Sequence, residues 1–432
     1  MTKKQLYIIV GIFAIVAIGF LVAVFLITGG GKTPAGTTST NPFVNFSPFG
    51  KPSANITTNT GENTAGTNTP TGNGEIIPIQ TGSLSLLRQI TPNPVAGIFP
   101  INRIGKSYID FIEKETGNIF ETRIADMQMN RLSNSIMPRI FEAYFANGGN
   151  SIVVRYLKNN SDVISSFDLD ISKSKIVPGS SATSTSAMPS GRFLPAGVMD
   201  MKISSDMNSA FFMTRNAGFK DRNSFGSVFD FNKNTVSEVF QSAFSEWLPV
   251  YFNSAEVLLQ TKASQKVPGF LYSLNIKTGV LQKVMGDING LTTLPSPDGQ
   301  KILYSESTKG GMTLHVYNRA NETTTDLPKQ TLPEKCVWTK DGLFIYCAIS
   351  NTITSSEYPD TWYQGITSFS DNIWKINTQT GISAIILTTS SFTPQSMDMT
   401  HLTLSPLEDY LFFINKKDST PWLYDLRSVG LQ

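Results

Sequence analysis

The chain has 432 residues, 40% of them hydrophobic and only 16% charged, with a net charge of +2. Of its 35 basic and 33 acidic residues, only Lys3, Lys4, Lys32, Lys51, Glu62 and Glu75 precede residue 81, which leaves 31 of each sign in 81–432. That neutral balance implies no basic face for nucleic acid, which is not an expected partner, and two cysteines with two histidines are too few for a disulfide-dense scaffold or a four-ligand zinc site.

Leu6 to Ile27 carries no charge over 22 residues. As a helix it spans about 33 Å, which matches a hydrocarbon core of roughly 30 Å. Lys3 and Lys4 precede it and only Lys32 lies just beyond, so the positive-inside rule puts the N-terminus in the cytoplasm and the rest of the chain outside. A cleaved signal peptide has a shorter apolar core and ends in a small-residue cleavage site. Thr28-Gly29-Gly30-Gly31-Lys32 offers no such site, and no cysteine follows for a lipid anchor. Residues 1–28 are therefore expected to be a cytoplasmic stub and a single-pass plasma-membrane helix. Residues 29–80 are dominated by Gly, Thr, Asn, Pro and Ser. Such a segment buries too little apolar surface to offset its ordering entropy, so it is expected to be a disordered linker. Phe43, Phe46 and Phe49 are its main apolar cluster.

Residues 81–432 repeat. A turn followed by an apolar triplet is clearest at Ser296-Pro297-Asp298-Gly299 before Ile302-Leu303-Tyr304. Triplets begin near Tyr108, Ile152, Ala210, Val257, Ile302, Phe344 and Leu411, with gaps of 44, 58, 47, 45, 42 and 67 residues. Four gaps fall at the length of one four-stranded propeller blade, and the two long ones contain insertions. A second strand pattern follows the triplet: Leu271 to Asn275 before Lys277-Thr278-Gly279, and Ile373 to Asn377 before Gln379-Thr380-Gly381. Period-two alternation between turn residues, with no sustained helical period after residue 30, predicts an all-β fold of seven four-stranded blades. The last unit runs out after its third strand, Trp422 to Leu426, while Leu84, Leu86 and Ile90 have no unit of their own. Residues 83–91 are expected to supply the missing outer strand and so remove an open seam; the alternative is a strand over Arg427–Gln432.

The Ser-Pro-Asp-Gly turn, the triplet and the Thr-Gly-terminated strand resemble the WD-repeat-like units of TolB-type propellers. The resemblance covers about residues 83–432 as architecture and implies a binding platform outside the cytoplasm. The chain departs from TolB in its anchor and linker and has nothing matching TolB's α/β domain before the propeller. It is also similar to the propellers of membrane-anchored dipeptidyl peptidases, but it has no Gly-x-Ser-x-Gly elbow. TolB-like lyases gather several histidines around a manganese ion, whereas His315 and His401 fall in different units here.

Three features invite a site. Cys336 and Cys347 flank the turn at Lys340–Gly342 symmetrically, which sets them opposite each other in a hairpin. Cross-strand neighbours are close enough for a disulfide, and an exported compartment permits one; the alternative is two buried thiols. The insertion from Asn351 to Asp371 carries Tyr358, Asp360, Trp362, Tyr363 and Gln364. It falls between the second and third strands of its blade, on the face of the blade-to-blade connections. Aromatic residues there are candidate partner anchors; the alternative is that Trp362 and Tyr363 cap the blades below. A Ser/Thr-rich insertion from Lys173 to Ser190 reads as a mobile loop. Asp206, Asp298 and Asp341 sit at recurring turn positions and read as turn formers, like Asp126, Asp168 and Asp170 as strand or turn residues. The expected function is a non-catalytic, membrane-tethered platform for an envelope protein or polysaccharide, with no cofactor. The competing expectation is an extracytoplasmic hydrolase or lyase acting on carbohydrate.

Overall fold

The computed structural model describes residues 84–133, 137, 139–157, 164–172, 190–215, 223–353 and 357–431. The expected membrane helix, the linker and nearly all of the Ser/Thr-rich insertion lie outside these residues. Among the described residues no helix is long and apolar enough to cross a membrane.

Strand β1 (Leu87–Gln89) comes first. Blade 1 holds β2 (Val95–Arg103), β3 (Lys106–Glu113), β4 (Ile119–Arg123) and β5 (Gln128–Ser133). Blade 2 holds β6 (Ile140–Ala146), β7 (Ser151–Leu157), β8 (Ile164–Asp170) and β9 (Ser190–Phe193). Blade 3 holds β10 (Val198–Ile203), β11 (Ser209–Arg215), β12 (Ser224–Asp230) and β13 (Thr235–Ser242). Blade 4 holds β14 (Trp247–Val250), β15 (Glu256–Thr261), β16 (Pro268–Asn275) and β17 (Leu281–Asn289). Blade 5 holds β18 (Thr292–Pro295), β19 (Lys301–Thr308), β20 (Gly311–Asn318) and β21 (Thr323–Leu327). Blade 6 holds β22 (Cys336–Trp338), β23 (Phe344–Ser350), β24 (Asp371–Asn377) and β25 (Ser383–Leu387). In blade 7, β26 (Met399–Leu404), β27 (Tyr410–Asn415) and β28 (Thr420–Asp425) are completed by β1 on the outside. The protein is a seven-bladed β-propeller.

Each apolar triplet lands on the second strand of its blade, and the reason is burial on both faces. Alternate residues of that strand enter two different cores. In β27, Leu411 and Phe413 join the core shared with blade 6, while Tyr410, Phe412 and Ile414 join the core shared with blade 1. In β15, Val257 and Leu259 face blade 3 while Leu258 faces blade 5. Seven such cores, each shared by two adjacent blades, close the ring. Each fully buried apolar side chain contributes roughly 1.5–3 kcal/mol.

The turns before the triplets are built from their own side chains. Ser296 Oγ donates to Asp298 Oδ1 at 2.5 Å, and Gln300 N donates to the same oxygen at 3.0 Å. Ser204 with Asp206 and Thr339 with Asp341 repeat the arrangement, and these bonds hold the Asp206 and Asp341 carboxyls below their ordinary pKa. Gly299 closes its turn at φ +69°, and a Cβ there would lie 2.0 Å from the Phe252 ring of the previous blade.

Closure of blade 7 joins the two ends of the domain. Leu87 pairs with Tyr424 and Gln89 with Trp422, and Leu87 is buried in the core between blades 6 and 7. Leu426–Leu431 forms a 3-10 helix and not the alternative closing strand.

Candidate functional site

Within an antiparallel blade, the loop between strands two and three emerges at the same end of the ring as the connection to the next blade. The insertion between β23 and β24 therefore shares that end with residues 328–335 and 388–398. It forms a strap reaching from blade 4 to blade 7. Lys266, between β15 and β16, pairs with Glu357 at 2.8 Å, and Gln265 N donates to Asp360 Oδ2 at 2.8 Å. Ser307 of β19 donates to the Tyr358 carbonyl, and Lys416, between β27 and β28, donates to the Trp362 carbonyl.

The strap packs an apolar core of its own, made of Met312, Leu332, Tyr358, Trp362 and Phe369. A charge cluster lies beneath it. Lys335 Nζ donates to Asp398 Oδ1 at 2.6 Å, Asp371 Oδ2 at 2.7 Å and the Met399 carbonyl at 3.0 Å. All three side chains are at most 1% exposed. Asp398 also accepts from the Trp362 indole at 3.1 Å, Ser368 Oγ at 3.1 Å and Phe369 N at 3.1 Å. Burial opposes its ionisation, but Lys335 and these donors outweigh it and lower its pKa. Asp371 has fewer donors and one oxygen without a partner, so burial wins there and raises its pKa. The lysine ammonium lies 5.3 Å from the Trp362 ring centre and 4.9 Å from that of Phe369.

These contacts correct part of the predicted contact surface. Tyr358 is fully buried and Trp362 is 4% exposed, because both fill the strap's core and the indole N–H is committed to Asp398. Both side chains lie over the blades below, as the alternative expectation had it, and the exposed part of the insertion lies further along. Asp360 is half-buried on the Gln265 amide. Tyr363 and Gln364 are exposed, followed by Ile366 at 73% exposure. The Tyr363 ring is open to solvent while its hydroxyl donates inward to Glu334, just before Lys335. Burial raises the pKa of both groups. Cys336 and Cys347 are register partners across β22 and β23, joined by a disulfide in the core between blades 5 and 6.

Apart from His401, a second group of residues has no motif in the sequence to announce it. His401 on β26 interacts electrostatically with Lys202 of β10, Glu142 of β6 and Lys114 at the end of β3. Blades 2 and 3 do not adjoin blade 7 in the ring, so charges on their first strands meet His401 only across the central channel. A bulge in β26 puts His401 at φ +53° and leaves it exposed. Water reaches the ring, yet surrounding protein lowers its pKa, helped by Lys202. Glu142 pairs with Arg155 at 2.5 Å and accepts from the Tyr144 hydroxyl at 3.1 Å. Burial pushes that phenol up to about 12, so it stays protonated. Asp200 pairs with Lys202 at 3.3 Å. His315 lies apart on β20, stacked on Tyr304 and 2.7 Å from Asp326. Among the described residues, no three His, Cys, Asp or Glu side chains are grouped to hold a metal.

No protein-family model matches the chain, and no curated protein matches it. Solved structures do. An oligogalacturonate lyase in complex with manganese is 9% identical with a TM-score of 0.51, covering 78% of this chain and 98% of that one. The oligogalacturonate lyase of Vibrio parahaemolyticus is 11% identical with a TM-score of 0.53, covering 79% and 93%. TolB from Acinetobacter baumannii is 10% identical with a TM-score of 0.40, covering 76% and 79%. At these identities the likeness is one of fold.

Proposed function

We propose that the chain is a membrane-tethered, extracytoplasmic propeller that binds an envelope protein and has no catalysis of its own. The observation that carries this reading is the strap. It is fastened to blades 4 to 7 and founded on a buried ion cluster, yet it leaves Tyr363, Gln364 and Ile366 exposed along one edge. A rigid aromatic-and-apolar edge of this kind is what a partner anchors on. The two carboxylates in the channel, Glu142 and Asp200, are each already matched to a cation, which does not favour acid–base work. The test replaces Gln364, or Leu407 at the opposite end of the ring, with a photo-crosslinking residue in intact cells. Discrete protein adducts from Gln364 alone are expected; lipid adducts alone, or none, would sink the proposal.

The competing reading is an extracytoplasmic hydrolase or lyase acting on carbohydrate. Its best support is His401, exposed beside Lys202 with a lowered pKa that leaves a neutral base at pH 7. Depolymerisation of a polysaccharide by the purified chain, abolished by His401→Ala, would establish it in place of the first.

A further inference from the structure

We propose that the channel holds a carboxylate of an extended acidic segment from a partner protein, set among Lys114, Lys202 and His401. This gives the platform its ligand chemistry and rests on the platform reading for the choice of a protein.

The fixed charges come first. Lys114 and Lys202 act on His401 together with Glu142, and Arg155 and Asp200 pair with members of that group, so these five carry one positive charge in excess before His401 is considered. Glu142 is held by Arg155, which also donates to the Val198 and Met199 carbonyls at 3.1 and 2.9 Å. The unmatched cation is Lys114. Its ammonium donates to Ser419 Oγ at 2.9 Å, and among the described residues it forms no ion pair with a carboxylate. Burial lowers its pKa, and Glu142 opposes that shift. His401 is the third element. The positive-φ bulge turns it out of the β26 ladder, and among the described residues only Thr400 Oγ1 bonds its ring, at 3.1 Å. An arriving carboxylate would satisfy the ammonium and favour the protonated imidazole, in surroundings where a charge pair is stronger than in bulk water.

Two observations favour a peptide over a sugar. Within its sheet each first strand pairs only with the second strand of its own blade, so apart from groups such as the Val198, Met199 and Met399 carbonyls, which side chains already hold, its channel-side edge can pair with an extended peptide. Sugar rings commonly stack on an open aromatic face. The aromatic residue in this group, Tyr144, has Lys202 Nζ 5.8 Å from its ring centre and its hydroxyl on Glu142.

The chain's two histidines make the test direct. The full-length chain in detergent, with 13C-labelled histidine rings, is titrated with a tetraglutamate peptide, a tetraglutamine peptide and a uronate tetrasaccharide. The expected result is a saturable shift of the His401 signal and a rise in its pKa with tetraglutamate alone, while His315 stays fixed and reports an intact fold. Lys114→Gln and Lys202→Gln should each weaken binding roughly tenfold or more, the scale of one charge-assisted hydrogen bond. No shift at millimolar peptide, equal binding of tetraglutamine, or wild-type affinity in both variants would overturn the proposal. Tighter binding of the uronate would also overturn it, in favour of a carbohydrate ligand. Failure here with Gln364 crosslinks intact leaves the platform standing; loss of the crosslinks alone removes the platform and not the channel site.

Discussion

Lys335→Met isolates the foundation of the strap. In the wild-type chain the ammonium meets three acceptors within 3.0 Å, so each of its protons is satisfied. Methionine keeps most of the volume and removes the charge. Asp371 and Asp398 would then face each other in a site at most 1% exposed, with no cation between them. Removing one partner of a buried ion pair costs about 3–5 kcal/mol. For a propeller of about 350 residues, an unfolding entropy near 2.1 cal/mol/K per residue converts that to a fall of roughly 4–7 °C in Tm. Asp371 already has its pKa raised by burial, so it is the carboxyl that takes up a proton when the lysine is gone. The loss should therefore be larger at pH 7.5 than at pH 5. Scanning calorimetry of the full chain at both pH values checks this. Adding Asp371→Asn and Asp398→Asn should restore most of the Tm, because uncharged groups no longer need the ammonium. A single variant within 1 °C of wild type, or a triple variant less stable than the single, would refute the reasoning.

Glu334→Gln tests the contact under Tyr363. Burial raises the folded pKa of Glu334, so its contribution is full below the unfolded pKa and is lost as pH rises through the folded value. The variant should gain Tm relative to wild type between pH 4 and pH 8, and a difference that stays flat or falls with pH counts against it. Replacing both Cys336 and Cys347 by alanine should cost about 3 kcal/mol for the 11-residue separation they close, read as a lower Tm. Alkylation of the unfolded, unreduced wild-type chain should find no free thiol. Leu87→Ala should cost about 2–4 kcal/mol in denaturant unfolding, because it cuts the 5%-exposed anchor of the closing strand. A cost below 1 kcal/mol would mean that β1 does not hold the ring.

The fold was legible because its strongest signal is dictated by a physical necessity. The second strand of every blade is buried on both faces, so Ala210 to Met213, Val257 to Leu259 and Leu411 to Phe413 run apolar without alternation and announce each unit. The Asp-Gly turns recur for an equally local reason, since Ser296 and Asp298 bond within the turn itself. Length alone disclosed the insertion between β23 and β24. Which way its aromatics face was not legible. Trp362 turns inward because Asp398, 36 residues further on, accepts its indole proton, and Lys335 reaches that same carboxylate from 63 residues before it. Short-range patterns carry no trace of a contact that only the ring creates.

The channel extends the same point to function. Glu142, Lys202 and His401 each read in sequence as a polar residue within a short strand. Their chemistry arises only when first strands from blades 2, 3 and 7 converge on one axis with Lys114 of blade 1. The ring therefore divides its labour by blade. Blades 4 to 7 carry the strap with its exposed Tyr363–Ile366 edge, and blades 1 to 3 with β26 supply the charges of the channel. A ligand that touched both would lie across the end of the ring with its acidic end pointing down the axis. That geometry separates the two halves experimentally. Substituting Gln364 should weaken a long partner without changing how tetraglutamate shifts His401. Lys114→Gln should weaken both, because both would set a carboxylate against its ammonium. If Gln364 substitutions alter the tetraglutamate titration as strongly as Lys114→Gln does, strap and channel form one site and the division by blade is wrong.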